Sequence, residues 1–357
     1  MYYLVKNLLE IDKENEYVLF YNGFKGGKFV FEENIPNLKQ VWCRIPGRIL
    51  KLLWSSFSWP PIELLLGNID IFHNTLNYNS VHYTPIPTRK KMVETFHGMA
   101  APELLCETYT YNDFKRWAET VASSASIIIT VSKMAKENFL QYASFYESRM
   151  KIVYLAADPI FRLIEDKEAI RRFLTIYGLN NKGYILYVGG GEENKNLRRL
   201  LRAFSVINKK HELYIVLAGG INPATLKDEL KDINDRVIFL GHVSHNDLVY
   251  LYNGARLFIL PTLYEWFGLP VLEAMACGTP VVFSMNTGAL EVVGDAALTF
   301  DPENTEEMAD CMMKVHFDGR LRADMIKNGL EKARVFTWKK TAEETLKVYK
   351  TVFETSG

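Results

Sequence analysis

Ten short apolar runs, alternating with helical stretches, constrain what this chain can fold into more than any other feature. In the first half they are Tyr17 to Tyr21, Ile69 to His73, Met92 to Phe96, Ile127 to Val131 and Ile152 to Leu155. In the second half they are Tyr184 to Val188, Leu213 to Ala218, Val237 to Leu240, Leu257 to Leu260 and Val281 to Phe283. Strands alternating with helices argue for parallel sheets crossed by helices, an α/β doubly wound architecture. A chain of 357 residues exceeds what one hydrophobic core usually supports, so two domains are expected. Pro159 discourages continuation after the run at Ile152, and a charged helix over 166–177 follows. The expected division is 1–157, 158–335, and a last helix over 336–357 whose apolar stripe is Ala342, Leu346, Tyr349 and Phe353.

Lys plus Arg and Asp plus Glu both total 42, so no net field draws the chain to nucleic acid, and an anionic ligand must be held locally. Cys43, Cys106, Cys277 and Cys311 are widely spaced and form no Cys-x-x-Cys pair, which suggests neither a disulfide framework nor a zinc site. No apolar stretch approaches the roughly 18 residues of a membrane span, and the first residues lack the apolar core of a signal peptide. A cytoplasmic location is expected. The segment from Gly47 to Phe57 mixes Arg48 and Lys51 with an apolar face. It reads as an ordinary packed helix or as a weak contact with the inner face of an anionic membrane. An open α/β domain usually starts with a strand and a glycine-rich turn. Met1 to Leu9 instead reads like the end of the first helix, so the first strand of the N-terminal domain is expected to be missing.

Glu265 stands in a loop, Phe267, Gly268 and Leu269 lead into Pro270 where a helix can begin, and Glu273 is expected in its first turn. Two acids would then face one helix N-terminus. Unpaired amides and a partial positive charge there receive phosphate, while carboxylates suit sugar hydroxyls. Nucleotide-sugar chemistry is the expected function. The segment Tyr184 to Leu197 reads as a strand, a glycine turn and a helix start. Gly189, Gly190 and Gly191 let backbone approach a ligand, and Lys195 can neutralise a pyrophosphate. A P-loop is excluded because Gly-Lys-Ser/Thr is missing. By itself the turn is equally a plain tight connection. His97 closes the run at Met92 and lies at the carboxyl edge of a sheet, where open α/β folds build ligand crevices. His73 occupies a similar place and reads better as structural.

The two acids, eight residues apart as Glu265-x7-Glu273, sit with Phe-Gly-Leu-Pro between them and Ala-Met-Ala-Cys-Gly-Thr-Pro-Val after them. This context resembles the family-4 retaining glycosyltransferases, whose GT-B fold pairs two Rossmann-like domains facing a cleft. The resemblance implies that Glu273 grips the ribose and that Glu265, with the backbone of Phe267, Gly268 and Leu269, holds the donor sugar. It implies that His97 contacts that sugar, that Lys195, Gly190, Gly191 and Asn194 face the pyrophosphate, and that Val243, beside His242, holds the base through backbone. Asn194 stands where such relatives often have Arg, so Lys195 carries the load. A terminal helix crossing back to the first domain, retention of configuration and domain closure over the donor are likewise implied.

No Asp-x-Asp motif is present, and a fixed cation with a helix dipole makes a divalent ion unnecessary, so metal-independent transfer with no cofactor is expected. The glycine turn ending in Lys-Asn looks like that of bacterial mannosyltransferases, which implies a hexose, with GDP-mannose as donor, moved to a saccharide or lipid-linked glycan. A nucleotide-sugar epimerase or phosphorylase of the same fold, and a non-catalytic nucleotide-sugar binder, remain open readings.

Overall fold

A computed structural model describes residues 1–22, 31, 35–75, 86–98, 110–180, 182–208 and 212–355; Cys106 lies outside them. Two compact units emerge, one of Met1–Tyr154 with Trp338–Gly357 and one of Leu155–Thr337.

The first unit opens on α1 (Tyr2–Ile11), followed by β1 (Tyr17–Asn22) and β2 (Leu38–Cys43), which pair in parallel. Next come α2 (Gly47–Phe57), β3 (Ile71–Asn74), β4 (Lys91–Phe96), α3 (Tyr111–Ser124), β5 (Ile127–Thr130), α4 (Lys133–Leu140) and β6 (Met150–Ile152). The four strands β3 to β6 form a parallel sheet in chain order. A capping box starts α3: Thr110 accepts from the Asp113 amide, and the Asp113 carboxylate accepts from the Thr110 amide at 2.8 Å. β2 is absent from the expected strands because Lys39 and Gln40 interrupt its apolar pattern. β6 begins two residues before the expected run, and its pairing ends with the Val153 amide on the Thr130 carbonyl.

The second unit comprises α5 (Lys167–Ile176), β7 (Tyr184–Val188), α6 (Leu197–Asn208), β8 (Tyr214–Ala218), β9 (Val237–Gly241), α7 (His245–Gly254) and β10 (Leu257–Leu260). After them come α8 (Leu269–Ala276), β11 (Val281–Ser284), β12 (Leu298–Phe300), α9 (Thr305–Phe317) and α10 (Gly319–Ala333). Its six strands are all parallel, in the order β12-β11-β10-β7-β8-β9. Alternate side chains of each strand feed two separate cores, which is why the runs are uniformly apolar. Ile185, Tyr187, Ile215, Leu217 and Ile259 pack under α6 and α9, while Tyr184, Leu186, Val216, Phe258 and Phe283 pack under α7 and α8.

The last helix, α11 (Trp338–Glu354), belongs to the first unit and covers its sheet, placing Val348 and Val352 against Val93, Ile127 and Ile129. Trp338 stacks on Tyr3 of α1 at 6.0 Å. The buried face is Thr341, Ala342, Thr345, Val348 and Val352, one position off the expected stripe, and Phe353 is 60% exposed. Threonine can face inward here because its hydroxyl is satisfied: Thr341 donates to the Tyr154 carbonyl, and Thr345 donates to that of Thr341, both at 2.8 Å. Composition-based patterning counts both as polar and rotates the stripe. α2 buries Leu50 and packs Trp54 against the cluster of Ile62, Leu66 and Phe72, while Ile49, Leu52 and Phe57 are exposed.

Candidate functional site

Within the six-stranded sheet the chain starts at the centre with β7, moves outward through β8 and β9, then returns beside β7 as β10 and moves outward the other way. Strands β7 and β10 therefore flank a topological switch point, outside whose carboxyl ends ligands bind in open α/β sheets. The glycine turn follows β7, and the loop bearing Glu265 follows β10.

The carboxyl ends of β7, β8 and β9 are locked together by backbone. The Gly189 amide donates to the Ala218 carbonyl at 2.9 Å, and the Gly219 amide donates to that of Gly241 at 2.7 Å. Gly219 has φ +138°, and a Cβ there would lie 1.9 Å from the Gly189 oxygen, so only glycine fits. The buried Tyr187 hydroxyl donates to the Gly190 carbonyl at 2.7 Å and fixes the turn from beneath. Gly191 lies exposed at the tip.

A 3-10 turn over Glu193–Lys195 leads to Asn196, which takes the left-handed conformation at φ 58° and is 5% exposed. Its amide nitrogen donates to the carbonyls of Pro261 at 2.9 Å and Pro302 at 2.7 Å. The Asn194 carbonyl accepts from the Leu263 amide at 2.8 Å. These contacts pin the loop after β7 to the loop after β10. Across the junction, Lys195 Nζ meets Glu265 Oε2 at 2.9 Å, with each side chain 24% exposed. The Glu265 backbone bridges to Thr287, and its carbonyl accepts from the Gly288 amide at 2.7 Å. Gly268, at φ +84°, caps α8, where a Cβ would come 2.9 Å from that of Ala289. Phe267 is buried at the same turn.

Helix α8 begins at Leu269, with Pro270 at its second position, so Glu273 is its fifth residue and lies beyond the first turn, correcting the expected placement. The cause is the left-handed Gly268 cap, which starts the helix one residue before Pro270. The Glu273 carboxylate accepts from the Tyr252 hydroxyl at 3.2 Å. Burial pushes its carboxyl up to about 7; Tyr252 and His245 counter that rise, and Asp158 adds to it. Neighbouring Cys277 is buried and its thiol is pushed up to about 12, chiefly by burial, which leaves it inert.

Val243 follows β9 with its side chain buried in the core, so only its backbone can meet a ligand; His242 beside it is exposed. In the first unit, His97 comes directly after β4, and burial lowers its imidazole's proton affinity. His73 is held on both ring nitrogens, by the Tyr349 hydroxyl at 2.6 Å and the Thr95 hydroxyl at 2.7 Å, and burial drives it down to about 3. That is a structural histidine, neutral and fully occupied. Among the described residues no group of three or more His, Cys, Asp or Glu gathers as a metal-ligand set, and no helix is long and apolar enough to cross a membrane.

Of the expected site residues, the structure brings Lys195 into contact with Glu265 and ties Asn194 to the same loop, with Gly190 and Gly191 on the adjoining turn. Glu273 sits instead in a pocket of its own partners, Tyr252, His245 and Asp158. Asn196 and Tyr252 were not singled out from the sequence. Asparagine directly after a Lys at a helix entrance is a signal for a left-handed junction, whereas nothing local to Tyr252 marks its contact with a residue 21 positions on.

Residues 166–332 match the glycosyl transferases group 1 family. O-antigen chain mannosyltransferase B of Escherichia coli is 32% identical over 272 residues, covering 73% of this chain and 70% of that protein. The serotype-specific mannosyltransferase WbdA of Escherichia coli is 27% identical over 241 residues, 65% of this chain but 29% of its own length. Anabaena HepE, solved in complex with UDP-glucose, superimposes with a TM-score of 0.71 at 16% identity, covering 94% of this chain and 99% of that one, a likeness of fold. The chain therefore belongs to the glycosyl transferases group 1, sugar-transferring enzymes built on the GT-B fold.

Proposed function

We propose that this enzyme moves a hexose, mannose from GDP-mannose, onto a saccharide or lipid-linked glycan with retention of configuration and without a metal ion. The observation that carries this reading is the Lys195–Glu265 pair bridging the loops after β7 and β10 at the switch point. Lys195 and the amides of Gly190 and Gly191 receive the pyrophosphate, and the amides of Gly268 and Leu269 extend that cradle. Asn194, whose carbonyl is spent on Leu263, offers its side chain to the same phosphates. Glu265 with the Phe267 backbone holds the transferred sugar, Glu273 grips the ribose, the Val243 backbone meets the base, and His97 contacts the sugar.

In the transfer, the bond between the anomeric carbon and the diphosphate oxygen breaks as the acceptor oxygen bonds to that carbon on the same face. The departing phosphate oxygen takes the acceptor's proton. Negative charge gathers on the leaving group, where Lys195 and the backbone amides stabilise it more strongly than in the ground state. A fixed cation supplies the neutralisation that a divalent ion gives elsewhere.

The likeness to O-antigen mannosyltransferases supports the choice of sugar and a glycan acceptor. For a lipid-linked acceptor at the inner face of the membrane, the exposed Ile49, Leu52, Phe57 and Trp59 beside Arg48 and Lys51 supply a weak peripheral contact. The test is product formation from GDP-mannose and UDP-hexoses, with and without glycan acceptors. Acceptor-dependent transfer from GDP-mannose, undiminished by a chelator, supports the reading. Conversion of the free donor without acceptor would assign an epimerase, and binding without turnover a non-catalytic role.

A further inference from the structure

Tyr252 of α7 is fully buried, its ring packed edge-on between Phe161 at 5.7 Å and Phe258 at 5.4 Å. A phenylalanine would fill that place equally well, and burying a phenol hydroxyl is costly unless the hydroxyl is bonded. Here the hydroxyl donates to Glu273 Oε2 at 3.2 Å. Burial raises the phenol's affinity for its proton, so it remains a donor throughout the physiological range.

We propose that Tyr252 is a positioning residue: it fixes the rotamer of Glu273 and favours the carboxylate over the protonated acid, with the remaining lone pairs free for the vicinal hydroxyls of a nucleoside ribose. This rests on the reading that Glu273 grips the ribose.

The surroundings show why such a device is needed. Glu273 lies on a helix with no side-chain cap, beyond the turn that the helix dipole favours, and burial raises its carboxyl to about 7 even with Tyr252 and His245 opposing the rise. A protonated carboxyl is a poorer acceptor for two hydroxyls. The groups facing it are the Tyr252 hydroxyl and His245 from α7, Asp158 from the segment before α5, and the Cys277 thiol. His245 Nδ1 lies 3.6 Å from Asp158 Oδ2. On another side of α8, α10 brings Gly329 against the Met275 side chain and adds no charge there. Tyr252 and His245 thus oppose burial and Asp158, and the balance sets the fraction of Glu273 able to accept.

The experiment is isothermal titration of GDP and of UDP into the full chain and into Y252F, D158N and E273Q, through the neutral range. The diphosphate's own ionisation is common to all four proteins and cancels in the comparison. Affinity of the unmodified chain should rise with pH. In Y252F the midpoint should move to higher pH, with several-fold weaker binding at pH 7. D158N should move it to lower pH, and E273Q should bind weakly and lose this component. Opposite shifts from two conservative variants are not what a merely structural defect produces. If neither nucleotide binds the unmodified chain, or E273Q binds like it, the ribose reading fails and takes this inference with it. If E273Q loses affinity while Y252F keeps the original midpoint, Tyr252 has no positioning role, although the reading of Glu273 stands.

Discussion

Lys195 Nζ lies 2.9 Å from Glu265 Oε2, so the cation assigned to the pyrophosphate and the acid assigned to the sugar are each other's partners. A pair this exposed contributes about 1 kcal/mol or less to stability. Its value is positional, since each partner holds the other at the switch point, and a doubly charged diphosphate can compete for the ammonium. Lys195→Ala and Glu265→Ala should each lower transfer about 100-fold or more, as for other lost electrostatic stabilisers, with the melting temperature nearly unchanged. Steady-state kinetics beside thermal denaturation checks this; near-native transfer in either variant removes its assigned role.

Gly219→Ala tests the backbone lock. Its Cβ would fall 1.9 Å from the Gly189 oxygen at a φ that side chains avoid. The strain should cost about 2 kcal/mol or more and should displace the glycine turn. Nucleotide affinity should therefore fall together with stability. An alanine variant as stable as the parent contradicts the described turn.

Asn196 separates conformation from hydrogen bonding. Asn196→Gly keeps the left-handed junction but abandons the Pro261 and Pro302 carbonyls, whereas Asn196→Ala loses both features. Leaving buried carbonyls unpaired should cost about 1 to 3 kcal/mol each. Denaturant melts should rank the parent above the glycine variant and that above alanine. Equal stability of the two variants would mean that the backbone conformation is not constrained.

Much of this was legible in the amino-acid sequence. The apolar runs at Tyr184, Leu213 and Leu257 become strands because a parallel sheet covered on both faces needs uninterrupted apolar residues, and that pattern is local. Pro270 marked a helix start, although the one-residue shift that carries Glu273 out of the first turn comes from the left-handed conformation of Gly268. The contacts of His73 with Tyr349 and of Tyr252 with Glu273 join residues far apart in the chain, and no local periodicity encodes them. Threonines such as Thr341 turn inward only because a partner carbonyl waits there.

Glu273 also gives a stability prediction. Its folded-state value of about 7 lies above the ordinary 4.5 of an unfolded chain, so the folded protein holds this proton more tightly. That contribution is complete below the unfolded value and is lost as pH rises through about 7. Glu273→Gln avoids the loss. The variant should be more stable than the parent above neutrality by about 3 kcal/mol, with the difference closing in acid. Melting curves across pH check the sign, and a variant less stable at alkaline pH contradicts it.

Thermal denaturation with a panel of nucleotide sugars and no acceptor probes the donor site most directly. A ligand at about 100 times its dissociation constant adds roughly 2.7 kcal/mol of stability. GDP-mannose should raise the melting temperature of the parent chain, and Lys195→Ala and Glu273→Ala, both folded, should lose most of that rise. A parent chain indifferent to every nucleotide sugar, or variants that respond as strongly as the parent, would contradict a donor site built on these residues.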